Sequence, residues 1–290
     1  MPGSQLPMTR RHFLRLGIGG SVAGLAGCGG GEAESPPTTS TEEESVFSSV
    51  GVDGDFLVVE VAGSDALSTV NLIAPDGTLY GAERIQSGVR TVRFRLIELD
   101  LSQSSHYTPG EYELVAVSGG ATVESESIEL RPEFRIREIE HYANSQVPLS
   151  YTRLAVTVEN TGTAPSWIYD VAYRNAPNPG ANDEVNQYRA IPSLVAPTEL
   201  EDLILHPNET QTYVGSEQPI RFEGADQFEC SRSFKMSIIL GTAANEQVEE
   251  QVRISLGGSA HSLGRVRGHT CSQASIERLD VKGSQDRTGV

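Results

Sequence analysis

The sequence predicts an all-β protein built as two β-sandwiches in tandem, on three observations. Apolar residues recur with period two in short runs. The runs lie roughly 8–12 residues apart and are separated by Gly, Pro and Asx turn signals. No helical 3.6-residue period of useful length interrupts them. A chain of 290 residues has room for about two domains.

The first module is expected over residues 46–131. Asp55-Phe56-Leu57-Val58-Val59-Glu60-Val61 is β-branched and strand-like. Residues 68–74 form the next run, closed by Pro75-Asp76-Gly77, where Pro presets φ and Gly accepts a positive φ. Val92, Phe94 and Leu96 then alternate with Thr91, Arg93 and Arg95, the pattern of a half-buried strand. Residues 112–117 and 121–130 flank Gly119-Gly120 as a hairpin, with Glu124, Glu126 and Glu129 facing solvent. Pro109-Gly110-Glu111-Tyr112-Glu113-Leu114 resembles the tyrosine corner of immunoglobulin-like domains, with Leu114 where that family often has a cysteine. The resemblance implies a fold and not an activity.

Arg131-Pro132 reads as a linker, and a second module is expected over 132–257. Its strands are residues 134–139, 154–159, 205–213, 234–240 and 248–256. Leu154-Ala155-Val156-Thr157-Val158-Glu159-Asn160-Thr161-Gly162-Thr163-Ala164-Pro165 resembles a strand and turn of CARDB-type modules, which are immunoglobulin-like units of bacterial and archaeal surface proteins. Residues 175–194 form a loop longer than a hairpin needs, either a binding loop or an idle insertion. Residues 258–290 are poorly patterned and read as a C-terminal tail.

The N-terminus has a different character. Thr9-Arg10-Arg11-His12-Phe13-Leu14 resembles the twin-arginine export motif, carried by Arg10, Arg11, Phe13 and Leu14. Residues 16–27 are weakly apolar and far shorter than the ~20 residues a membrane-spanning helix needs, as in a signal peptide. Leu25, Ala26 and Gly27 before Cys28 resemble a lipobox, which implies cleavage after residue 27 and lipidation of Cys28. A diacylglycerol there supplies two acyl chains, enough for stable membrane attachment. Residues 28–45, rich in Gly, Pro, Thr and Glu, cannot bury a core and read as a flexible tether. The expected architecture is therefore a signal peptide (1–27), the tether, and two immunoglobulin-like sandwiches.

Charge narrows the partners. The chain has 39 acidic and 22 basic residues; removing Arg10, Arg11 and Arg15 with the signal leaves 39 against 19, a net of −20. Lysine occurs only at Lys235 and Lys282, against 20 arginines. Such a surface resembles that of haloarchaeal proteins, whose self-repulsion molar salt screens. Nucleic acid is excluded as a partner, because phosphate contacts need clustered bases.

Site chemistry is sparse. Neither Cys230 nor Cys271 is followed by the His and Met spacing of a blue-copper site. His261, His269 and Cys271 match no zinc spacing, and His106, His141 and His206 are scattered. Val52-Asp53-Gly54-Asp55 lacks the spacing of an EF-hand and reads as a turn. No catalytic residue, metal ligand or cofactor is assigned. Cys230 and Cys271 either pair, closing a loop of about 40 residues, or remain free thiols. Asn208-Glu209-Thr210 is a glycosylation sequon on a predicted loop. The expected function is a lipid-anchored, non-catalytic surface module that meets a protein or glycan at the cell envelope. The alternatives are an accessory subunit of a membrane complex or an exported enzyme.

Overall fold

The computed structural model describes residues 45–279, apart from 63–66, 101–103, 145–148, 183, 187–190, 225–227 and 265–267. Arg10, Arg11, Phe13, Leu14, Leu25, Ala26, Gly27 and Cys28 lie outside the described residues, as do 280–290. The fold is all-β. Helical structure among the described residues is limited to single 3₁₀ turns, and no helix is long and apolar enough to cross a membrane.

The first sandwich holds β1 (Phe47–Asp53), β2 (Phe56–Val61), β3 (Thr69–Ile73), β4 (Leu79–Arg84), β5 (Thr91–Arg95), β6 (Ile97–Glu98), β7 (Ser105–His106), β8 (Gly110–Ser118) and β9 (Ala121–Leu130). One sheet runs β1-β2-β5 and the other β4-β3-β8-β9, while β6 pairs with β7. Every pairing is antiparallel. Alternation decides which side chains turn inward: Val92 and Phe94 of β5 and Tyr112, Leu114 and Ala116 of β8 are buried, and their neighbours are not. The Tyr112 hydroxyl donates to Thr108 O at 3.0 Å, the geometry of a tyrosine corner. Leu114 is fully buried where a disulfide would otherwise cross the sheets.

The second sandwich holds β10 (Phe134–Tyr142), β11 (Arg153–Asn160), β12 (Ser166–Arg174), β13 (Leu194–Ala196), β14 (Ile204–Leu205), β15 (Thr210–Gly215), β16 (Ser233–Thr242), β17 (Val248–Ser262) and β18 (His269–Arg278). Its sheets run β10-β11-β15-β13 and β14-β12-β16-β17-β18. Two sequence expectations need correction. First, β12 was not anticipated, because Trp167 to Tyr173 is buried on both faces and shows no alternation. Second, the expected tail from residue 258 is strand. β17 runs on to Ser262, and β18 pairs along it and supplies half-buried Ala274 and Ile276 to the core. Small residues and the register shift between Gly257 and Ala260 hide this periodicity. The expected linker, Arg131-Pro132, does join the two sandwiches, between β9 and β10.

At that joint the turn after β11 grips the chain between the sandwiches. Asn160 is fully buried and uses its whole carboxamide. Its Oδ1 accepts from Glu133 N (3.1 Å) and Gly162 N (3.0 Å), and its Nδ2 donates to Ala164 O and Leu205 O, both at 2.9 Å. Thr163 N donates to Arg131 O, and Arg131 N donates to Thr163 Oγ1. A Cβ on Gly162 would lie 2.3 Å from Arg131 O, so the approach admits only glycine.

An apolar cluster continues through the joint, from Leu96, Ile97 and Tyr107 of the first core to Trp167, Leu203 and Ala243 of the second sandwich. Two histidines flank it. His106 Nε2 meets Ser166 Oγ at 2.9 Å, with its ring edge-on to Trp167. His206 lies between Asp55 of the first sandwich (3.1 Å) and Glu209 of its own turn (2.9 Å).

Besides Tyr169, four tyrosines are buried: Tyr107, Tyr112, Tyr173 and Tyr213. Burial pushes the Tyr112 phenol up to about 12 and pushes the other three up as well.

Three outcomes follow from these contacts. Asn160→Ala strands two N–H groups and two carbonyls and should cost about 3–5 kcal/mol in denaturant unfolding. Cys230 and Cys271 form a disulfide across 41 residues of sequence. The Cys230→Ser/Cys271→Ser variant should lose about 4 kcal/mol in the chain-entropy model, with amide exchange rising first in β18. The tyrosine contribution to stability is complete below the unfolded phenol pKa of 10.0 and is lost as pH rises through the higher folded values. Phenolate absorbance from these four should therefore appear together with the loss of circular dichroism.

Candidate functional site

The described residues between β12 and β13 (175–182, 184–186 and 191–193) form an organised strap, fastened by asparagines. Asn175 takes a left-handed φ of 61° and ends the strand. Asn182 imitates a backbone pair: its Oδ1 accepts from Ala176 N at 2.6 Å and its Nδ2 donates to Ala176 O at 2.9 Å. Asn178 donates to Gln218 O at 2.9 Å and accepts from Gly180 N, tying the strap to the loop after β15. Asn186 N donates to Asp170 Oδ2 at 2.8 Å. Short amide side chains suit this work because they bond backbone groups close to their own Cα.

The strap lies on the outer face of β12 and β16. Register places Asp170 beside Gly241, Ala172 beside Ile239 and Arg174 beside Ser237. Between Ile168 and Asp170 the register shifts, leaving Tyr169 as the extra residue of a bulge. The bulge turns Tyr169 away from the inner core that holds Ile168 and Val171, into the cluster that holds Trp167 and Val185. Gly241 makes room for the strap: a Cβ there would lie 2.5 Å from Val185 Cγ1.

These contacts enclose a concavity of about 590 Å3. Its floor is Tyr169, Val185 and Ile239. Its rim is polar: Arg174 from β12, Glu184 and Asn186 from the strap, and Asn245 and Gln247 from the β16–β17 turn. Arg174 Nη1 lies 3.2 and 3.1 Å from the two Glu249 carboxylate oxygens, so its charge is neutralised at the edge of the site. The remaining groups are mainly amides, each both donor and acceptor. This arrangement can hold a neutral polar ligand in a mostly polar opening.

A second concavity of about 550 Å3 lies at the joint, between Val52 of β1, Ile128 of β9 and two turns, one carrying Gly162 and the other Asn208. Asn208 is exposed in a left-handed turn, φ 64°, and Thr210 is exposed as well. The sequon is therefore open to solvent at the rim of this slot.

Other residues singled out in the sequence are dispersed. Asp53 pairs with Arg93 at 3.3 Å and Asp55 with His206, so the two carboxylates of the β1–β2 turn serve different partners. His261 stacks on Tyr151 and His269 on Phe228, while Cys271 is disulfide-bonded. Among the described residues no group of three or more His, Cys, Asp or Glu is placed to hold a metal ion. The sequence reading marked the strap but missed the site residues themselves. The recurrence of Asn at 175, 178, 182 and 186 was the available signal.

No family model matches the chain, and no curated protein does. Among solved structures it is similar to a β-glucuronidase from glycoside hydrolase family 2, at 11% identity and a TM-score of 0.21, over 73% of this chain and 19% of that one. A glycosyl hydrolase family 2 member from Bacteroides cellulosilyticus DSM 14838 is similar at 13% identity and 0.20, over 69% of this chain and 24% of that one. A β-glycosidase from Bacteroides vulgatus is similar at 8% identity and 0.19, over 69% and 23%. The chain thus spans about a fifth to a quarter of these enzymes, and a likeness this shallow carries no argument about chemistry.

Proposed function

We propose that the chain is a lipid-anchored extracytoplasmic protein, exported by the twin-arginine route, that acts at the cell surface as a non-catalytic binding module. The observation that carries this reading is the order of elements at the N-terminus. Arg10-Arg11 with Phe13 and Leu14, a short apolar run, and Leu25-Ala26-Gly27-Cys28 follow one another at the spacing export and lipidation require. A tether-like composition comes next, and then the two sandwiches.

Three further features support it. The Cys230–Cys271 disulfide suits an oxidising exterior. The excess of acidic residues and the scarcity of lysine suit a haloarchaeal exterior at high salt. The gripped joint makes the two sandwiches a stiff mount for the concavity beneath the strap. Specificity then resides in the strap and the β16–β17 turn, while the sheets position them.

Intact-mass measurement on protein extracted from membranes is the test. The expected product lacks residues 1–27 and carries a diacylglycerol on Cys28. Cys28→Ser should leave the membrane fraction, and Arg10→Lys/Arg11→Lys should remain in the cytoplasm. A product that retains residues 1–27 and carries no acyl mass overturns the proposal.

A further inference from the structure

We propose that the concavity beneath the asparagine-fastened strap is a saccharide site that takes a neutral, polyhydroxylated ligand. The inference rests on the surface-binding reading and deepens it by naming the site and the ligand class.

Size comes first. About 590 Å3 falls within the ~300–1,000 Å3 of small-molecule clefts, too small for a folded partner and ample for a sugar ring or two. The second consideration is the match of polar groups. A sugar hydroxyl both donates and accepts, and so does a carboxamide. Asn245 and Gln247 place two exposed carboxamides at the opening, beside Asn186, whose Nδ2 donates to Ile191 O at 3.2 Å, and Glu184 adds an acceptor. Third, half-buried Val185 offers carbon to the C–H face of a ring, over buried Tyr169 and Ile239.

Charge removes the competing classes. An anion needs a cation, and the one at this rim, Arg174, already shares its charge with Glu249 through Nη1. The net charge of −17 repels anions further. A polyamine or metal needs several convergent carboxylates. Asp170, however, is buried beneath the strap and accepts from Asn186 N, and Glu249 is paired with Arg174.

Two rim residues can be changed without disturbing the fold. Asn245 is exposed and has a left-handed φ of 66°, so Asn245→Gly keeps the turn and removes the amide. Gln247 is exposed and precedes β17.

The experiment uses the full mature chain in detergent and titrates it calorimetrically with maltotriose, cellotriose, mannobiose and chitotriose. Glucuronic acid and spermidine serve as charged controls. We expect at least one neutral oligosaccharide to bind, and neither control. Asn245→Gly/Gln247→Ala should weaken that binding at least tenfold while the melting temperature stays unchanged. Gly241→Val, which pushes Val185 and the strap from the sheet, should abolish it. Three results overturn the inference: no neutral saccharide binding, binding of a charged control instead, or saccharide binding that survives Asn245→Gly/Gln247→Ala. Protease accessibility on intact cells separates the two proposals. A protein displayed outside that binds no saccharide refutes only this site. A protein that binds saccharide but is not displayed refutes only the surface reading.

Discussion

Asn160 commits both donors and both acceptor positions of its carboxamide to the joint between the sandwiches. In a fully buried position this is a demanding arrangement, because each of the four partners would be stranded without it. The partners come from three places: the chain entering β10, the turn after β11, and β14. One side chain therefore sets the exit of the first sandwich, the turn of the second and the position of a distant strand. The close approach of Gly162 to Arg131 follows from the same constraint.

With the joint held, the apolar surface at the ends of the two bodies has somewhere to go. Trp167, the only tryptophan, sits at the start of β12 and is buried in a cluster continuous with the first core. Two residues on, Tyr169 leaves the strand's alternation at the bulge and joins the same cluster. The joint and the concavity thus share one strand, separated by a single residue. A strand buried on both faces must be covered on its outer side, and the strap supplies that cover. Asn178 and Asn182 satisfy backbone groups that no sheet partner reaches, and the Asp170 carboxylate accepts from Asn186 N.

Much of this was legible in the residues. Alternation in β5 and β8, the Gly119-Gly120 hairpin and the tyrosine corner are local patterns, set by neighbours within a few positions. The pairing of Cys230 with Cys271 was also within reach, since few cysteines leave few choices. β12 was missed because full burial erases alternation, and β18 because Ser, Ala and Thr carry little hydrophobic contrast. The histidines at the joint read as scattered. His106 and His206 lie 100 positions apart in the chain and meet the joint from opposite sides.

By itself the sequence determined the all-β class and the sites of several turns, such as Gly119-Gly120 between β8 and β9. It did so because side-chain period and turn chemistry act between near neighbours. Tertiary structure decided the rest: that the Arg131-Pro132 linker is gripped by the turn after β11, that residues 258–262 and 269–278 complete a sheet, and that Tyr169, Asn186 and Gln247 border one concavity. Those outcomes depend on contacts between residues tens of positions apart. Burial, bulges and amide bonds across such distances leave no period in the chain from which they could be read.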